Sequence, residues 1–211
     1  MEGDWLVALE QSQGRGRHGR EWQSRAGNFH GSTLVKLGTL DPPAPSLSLV
    51  SGLALIEAAQ TLAPEAAFLL KWPNDLLLGG GKLGGILLER SAERVVAGFG
   101  VNLAAAPEIA DRQTATLPCD PLITPQAFAP VIAAAFARML GTWRNLDTEA
   151  FANAWLSRAH PLGTPLSVHI AANEKIFGTF DGIEPAGALR LRLADGSVRV
   201  MHAGDVSLGQ G

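Results

Sequence analysis

Lys71-Trp72-Pro73-Asn74-Asp75 leads into Leu76-Leu77-Leu78, then Gly79-Gly80-Gly81, then Lys82-Leu83-Gly84-Gly85-Ile86-Leu87-Leu88-Glu89. Two apolar runs on either side of glycines that accept positive φ fold back on each other as a β-hairpin. Around it, residues 66–71, 76–78, 83–90 and 94–101 read as strands of one mixed sheet, with further strands at 5–9 and 29–35. The chain has four lysines, and two of them, Lys71 and Lys82, stand near the two ends of this hairpin, although arginine carries most of the basic charge elsewhere. Lysines on strands that otherwise look buried point to specific placement of charge. The plainer alternative is a pair of edge-strand lysines whose heads reach water.

A second stretch, Gly-Arg-Gly-Arg-His-Gly-Arg-Glu-Trp at residues 14–22, puts three arginines on a glycine-rich backbone. Glycine lets backbone N–H groups approach anionic oxygens, and the guanidinium forks of Arg15, Arg17 and Arg20 are permanently charged bidentate donors. Such a loop suits a phosphate ligand. The whole chain holds 17 basic and 20 acidic residues, a net charge of −3, so the cluster is local and reads as a site, not a nucleic-acid surface. Gly14, Gly16 and Gly19 also match Gly-x-Gly-x-x-Gly. However, the loop-like residues 23–28 and then a strand follow where a dinucleotide-binding turn needs a helix, and Asp41 opens a proline-rich loop. A solvated basic loop without a ligand is the other plain reading.

The arginine loop, then Lys-Trp-Pro-Asn-Asp, then Lys-Leu-Gly-Gly-Ile-Leu-Leu-Glu, then Gly98-Phe99-Gly100-Val101-Asn102-Leu103, resemble in this order the motifs of biotin protein ligases. The resemblance implies an α+β fold, a mixed β-sheet packed with helices in the class II synthetase-like biotin/lipoate ligase superfold, followed by a small SH3-like β-barrel. It implies activation of biotin by ATP and Mg2+ to biotinyl-5′-adenylate, then transfer to a lysine of the biotin carboxyl carrier protein of acetyl-CoA carboxylase. By the same resemblance Lys82 and Arg17 are the catalytic residues. Gln11, Gly14, Arg15, Arg17, Lys82, Gly84 and Gly85 bind biotin; Arg17, Arg20, Trp22, Asn74, Asp75 and Asn102 bind ATP; and Asn74 and Asp75 hold the metal.

The chemistry of that reaction suits these residue types. A carboxylate attacking an α-phosphate brings two anions together, so positioning and charge neutralisation dominate, and Lys82 with the three arginines supplies cations. A mixed anhydride must be hidden from water, which a glycine-rich loop that orders over it achieves. Trp22 is either an adenine-stacking cap or a packing aromatic, and Asn102 either a nucleotide contact or a local turn residue. Asn74 and Asp75 offer hard oxygens for magnesium shared with phosphates. Gly84 and Gly85, on a strand they weaken, mark close approach of a ligand or of another backbone. His18 stands where the family often has arginine. The family's Ser-Thr-Asn segment, which helps to recognise the biotin ureido group, is not found in the thirteen residues before Gly14, so the expectation is a catalytic domain without its N-terminal segment.

By the same resemblance the chain's 211 residues are expected to divide into a catalytic domain over 1–161 and an SH3-like domain over 162–211. Helices are expected at 46–62, 125–145 and from an Asp147 cap to about His160. Beyond Pro161 and Gly163, short strands at 165–170, 175–183, 188–193 and 197–201 are separated by Asp-Gly turns. His169 and His202 lack metal-ligand companions. No apolar run reaches the roughly 20 residues of a membrane span. The single cysteine, Cys119, excludes an internal disulfide, fits the cytoplasm and has no evident base to make it a nucleophile. The partners expected are the carrier protein and, in pairs, a second copy of the chain, with no DNA and no membrane. The alternatives are a non-catalytic biotin- or nucleotide-binding homologue, a truncated ligase, and a lipoate ligase.

Overall fold

The triple glycine makes the turn its composition demands. In the computed structural model, which describes residues 1–110, 112–145, 148–171 and 174–209, Gly79 (φ 56°) and Gly80 (φ 82°) join β4 (Asp75–Leu78) to β5 (Gly81–Ser91). Positive φ at both central residues gives the tight turn whose twist matches the flanking strands. With β1 (Trp5–Ala8), β2 (Phe29–Lys36), β3 (Phe68–Lys71) and β6 (Arg94–Val101) they form a six-stranded sheet in the order β1-β2-β6-β5-β4-β3. Every strand pair in it is antiparallel, and parallel pairing enters only as isolated bridges, Leu70 with Ala159 and Lys82 with Thr114.

Alternation assigns the two faces. On β6, Val95, Ala97, Phe99 and Val101 are buried while Val96 is 40 % exposed. The buried face is covered by α1 (Leu47–Leu62), which packs on the sheet, on α2 (Pro125–Asn145) and on α3 (Thr148–Leu156). Because α1 has neighbours all round, its apolar residues are not confined to one stripe. Its first turn is tied to α2 by the Trp143 Nε1–H, which donates to Ser46 Oγ at 2.8 Å, both groups being fully buried. Trp5, Phe99 and Phe136 meet in an edge-and-tilt aromatic cluster, and Phe29 meets Phe128 edge-on at 4.9 Å.

The opposite face is where the sequence strips the sheet of side chains. Register places Ala8, His30, Gly100, Gly85 and Asp75 in one row across five strands, and Leu6, Ser32, Gly98 and Leu87 in the next. At the middle of the sheet this face is therefore nearly bare backbone.

After α3 the chain builds a second, five-stranded antiparallel sheet ordered β10-β9-β8-β7-β11. Its strands are β7 (Pro165–Ala171), β8 (Glu174–Ile183), β9 (Leu189–Arg192), β10 (Val198–Met201) and β11 (Asp205–Leu208). It docks on the first sheet through the Trp72 Nε1–H, which donates to the Gly187 carbonyl at 2.9 Å. Two sequence expectations need correction here. The third helix ends at Leu156, not near His160, because the Arg158 carbonyl leaves the helix to accept the Leu70 N–H of β3 at 2.7 Å. A fifth strand, β11, pairs with β7 where no strand was expected. The expected Asp147 cap lies outside the described residues.

Gly31 is the tightest inward position on β2: a Cβ there would run into the Phe29 ring, which is completely buried. Gly31→Ala is expected to destabilise the protein by about 1–3 kcal/mol. A denaturant midpoint unchanged from wild type would show that the Phe29 ring can yield.

Candidate functional site

The bare face of the first sheet is the floor of a cavity of about 590 Å3, and its walls come from the arginine-loop segment, from Pro107, Ile109, Ala110, Arg112 and Thr114, and from β11. A second concavity of about 710 Å3 adjoins it over the β4–β5 turn, and the two share Ile109, Ala110, Arg112 and Thr114.

The arginine loop is a small hairpin closed on itself. The Trp22 N–H donates to the Gly14 carbonyl at 2.9 Å, the Gly16 N–H to the Arg20 carbonyl at 2.7 Å, and Arg15 pairs with Glu21 as an antiparallel bridge. The tip is a 3-10 turn, Arg17–Gly19, in which His18 is left-handed at φ 55°, an uncommon conformation for a residue other than glycine. Gly14 is buried here because a Cβ would collide with the Trp22 carbonyl, so it shapes the loop without lining the cavity. Gln11, Arg15, Arg17, Arg20 and Trp22 all line the cavity. The loop tip also reaches the second sheet: Arg17 Nη1 donates to the Gly204 carbonyl at 3.0 Å, and Arg20 forms an ion pair with Asp205 at the start of β11.

The Trp22 ring packs directly against the glycine row. A Cβ at Gly100 would fall inside the indole, and one at Gly85 would sit 3.2 Å from Cζ3 of the ring and 3.2 Å from Lys82 Nζ. The indole can approach the strands this closely because neither position carries a side chain. Gly84, by contrast, points to the helical face, where a Cβ would meet the Gly100 carbonyl at 2.9 Å. Its close neighbour is backbone, the second of the two meanings its position on a strand allows.

Charge is concentrated at the end of the row. The Asp75 carboxylate is 8 % exposed and accepts from Lys82 Nζ at 2.5 Å, with Lys71 Nζ 4.0 Å from its other oxygen. Lys82 Nζ also stands 5.5 Å from the centre of the Trp22 ring, within cation–π range. Six cations and four carboxylates line the cavity, so the excess is positive although the chain as a whole is negative. Burial lowers the Lys71 pKa, opposed by Asp75 and assisted by Arg112 and Lys82. Burial likewise lowers that of Arg17, whose guanidinium nonetheless stays charged.

Asn74 and Asn102 are held by the protein itself. The Asn74 side-chain amide donates to the Ile86 carbonyl at 2.5 Å. Asn102, 2 % exposed, donates to the carbonyls of Lys82 at 3.3 Å and Ala115 at 3.0 Å and accepts from Asn28 at 3.5 Å. Asn102 thus clasps β5 to the segment that forms the cavity wall, which is the local-satisfaction reading of that residue. Among the described residues no group of three or more His, Cys, Asp or Glu side chains is arranged to cage a metal. One carboxylate and one amide oxygen fit only a hard cation that completes its shell with phosphate oxygens and water.

Cys119 is not an activated thiol: it donates to the Leu62 carbonyl at 3.5 Å, and burial raises its pKa. Arg112, His30 and Asp205 line the cavity without having been singled out in the sequence, and Lys71 and Gly100, noted there without an assigned site role, line it too. For His30 the only signal in the sequence is strand alternation, which puts it on the same face as Gly100 and Gly85.

Residues 2–104 match the biotin/lipoate A/B protein ligase family, and residues 167–209 match the biotin protein ligase C-terminal domain. The chain is 40 % identical over 222 residues to a biotin–(acetyl-CoA-carboxylase) ligase of Paracoccus denitrificans, covering 97 % of this chain and 90 % of the relative. It is 34 % identical over 217 residues to the Mycobacterium tuberculosis protein of the same name, covering 98 % and 79 %. The biotin protein ligase of Aquifex aeolicus solved in complex with biotin and ATP matches with a TM-score of 0.85 at 26 % identity, over 100 % of this chain and 90 % of that one.

Burial lowers the pKa of His30 and of His160, the latter with help from Lys71, so folding favours the neutral form of both. The unfolded chain takes up protons on both below its ordinary histidine value of about 6.5. Their contribution to stability is therefore complete above that pH and is lost as the pH falls below it. Thermal unfolding is expected to shift to lower temperature between about pH 7.5 and about pH 5.5. A midpoint that stays level or rises on acidification contradicts the assignment.

Proposed function

The chain belongs to the biotin protein ligase family, and on that premise we propose that it is an ATP-dependent biotin ligase. It condenses biotin with ATP to biotinyl-5′-adenylate and pyrophosphate, then passes the biotinyl group to a lysine of the biotin carboxyl carrier protein of acetyl-CoA carboxylase. The observation that carries this reading is the joining of Lys82, Asp75 and the arginine loop around one glycine-floored cavity.

In this reading the Trp22 indole, resting on the floor at Gly85 and Gly100, forms one side of the pocket that takes biotin. Lys82, already beside the floor, neutralises the biotin carboxylate and the α-phosphate as they approach. That contribution is electrostatic and greatest in the transition state, when negative charge is most crowded. Asp75 holds the Lys82 ammonium in place before substrate arrives, and Arg15, Arg17 and Arg20 receive the phosphates. Closure of their loop keeps water from the anhydride. Asp75 and Asn74 are the residues that would hold Mg2+, which screens phosphate charge when bound. For transfer, the carrier lysine attacks the biotinyl carbonyl, forming an amide and releasing AMP.

The division at 161/162 belongs to the same proposal and is supported by two separate sheets joined after α3. A homodimer would use a free sheet edge such as β1, whose Leu6 is 72 % exposed. No helix of the described residues is long and apolar enough to cross a membrane. The cytoplasm is proposed because it supplies ATP and keeps the lone thiol reduced.

Biotin-dependent ATP–pyrophosphate exchange with magnesium is the direct test, with lipoate as the competing acid. Exchange with lipoate alone assigns the other branch of the superfold, and binding of biotin without exchange assigns a non-catalytic homologue. Lys82→Ala is expected to lower exchange by about 10²–10³-fold. Arg17→Gly is expected to retain exchange while releasing free adenylate, since the loop serves retention. Equal loss in both variants with no free adenylate would refute that division of labour.

A further inference from the structure

One buried titratable side chain in the cavity has no part in the chemistry above. His30 lies on β2, in the row between Ala8 and Gly100, and is 3 % exposed. Both of its ring nitrogens are taken by the segment that carries the arginine loop. The Trp22 Nε1–H donates to Nδ1 at 3.3 Å, and Nε2 lies 3.0 Å from Ser24 Oγ. That same hydroxyl oxygen accepts the Gln11 backbone N–H at 2.9 Å.

The protonation state follows from what each partner can do. An indole N–H only donates, so Nδ1 must present a lone pair, and the ring proton of a neutral imidazole then sits on Nε2. Nε2–H donates to Ser24 Oγ, which thereby accepts from both His30 and Gln11. The other neutral tautomer would set two N–H groups against each other at Nδ1, and the imidazolium would do the same. Burial disfavours the imidazolium further, with a backbone hydrogen bond involving Arg25 acting the other way. A single ring thus ties both stems of the loop, Gln11 through Ser24 on one side and Trp22 on the other, to the floor of the sheet.

We propose that His30 is a positioning residue: as the neutral Nε2–H tautomer it fixes Trp22 on the Gly85–Gly100 floor and so holds the arginine loop closed over the reacting groups. The functional part of this proposal rests on the biotin ligase reading of the cavity; the tautomer does not.

Two measurements test it. In the folded protein at neutral pH, 15N spectra of labelled imidazoles should show one histidine with bare Nδ1 and protonated Nε2, assigned to His30 by its loss in His30→Asn. A protonated Nδ1 on His30, in either the other tautomer or the imidazolium, overturns the proposal. The second reads coupling, as pyrophosphate released per biotin transferred. Trp22→Phe keeps an aromatic ring on the glycines but removes the donor, and His30→Phe removes both ring nitrogens. Each should raise the ratio about two- to tenfold, the worth of one hydrogen bond, while adenylate is still formed. The double variant should be no worse than the more severe single, because both break one link. His30→Asn offers an amide oxygen near the Nδ1 position and should recover most of the coupling. Wild-type coupling in Trp22→Phe, or additive losses in the double variant, overturns the proposal, and Trp22→Phe stays informative if His30→Phe does not fold. If the wild-type protein releases no pyrophosphate with biotin, the ligase reading fails, and the nitrogen spectra still decide the tautomer.

Discussion

The architecture depends on the register of β2, β6, β5 and β4, because a row of cross-strand partners can lose its side chains only if every strand is aligned. His30, Gly100, Gly85 and Asp75 reach one row from segments spread over the first half of the chain. A slip of one residue on β6 would bring Phe99 or Val101 to the floor and bury a glycine in the core. The apolar residues on the other face, packed on α1 and α2, make such a slip costly. Core packing and the open floor are therefore two sides of the same constraint.

Electrostatics is built on that floor in a fixed order. Asp75 enters from β4 as the last member of the row, and the bulge between Leu76 and Leu77 separates its register from that of Leu77 opposite Lys82. Lys82 nevertheless bends back to Asp75 and stands over the edge of Trp22. A buried carboxylate beside a lysine holds that lysine in one orientation in a site already crowded with cations. The arginines differ from it in kind: they sit on a backbone hairpin whose hydrogen bonds are its own, so that the charge they carry is delivered by a separate, small structural unit.

Much of this was legible in the sequence where a residue type leaves few choices. The paired glycines of the β4–β5 turn, the arginine loop, and the buried helix before Pro64 all appear where glycine, proline and apolar spacing put them. The elements that escaped are decided by distant partners. The third helix ends early because Arg158 pairs with Leu70, and β11 forms because β7 offers a free edge to four residues with little strand signal of their own. Asp205 was invisible as a wall of the cavity for the same reason. Asn102 shows the converse: its motif does lie at the cavity, but its amide is used up in clasping backbone. His30 carries no local signal, since its role arises from which face of β2 it occupies and from a tryptophan eight residues earlier.

The contacts of Arg17 with Gly204 and of Arg20 with Asp205 span 187 and 185 positions of sequence. Loop closure on that scale is the slowest kind of contact to make, because the chain must find it after most other structure is in place. On a ribosome, Arg20 of the arginine loop therefore leaves the exit tunnel 185 residues ahead of its anchor Asp205. The cavity gains the wall formed by β11 only after all the intervening strands and helices have been made, and until then the nascent chain carries the cationic loop untethered.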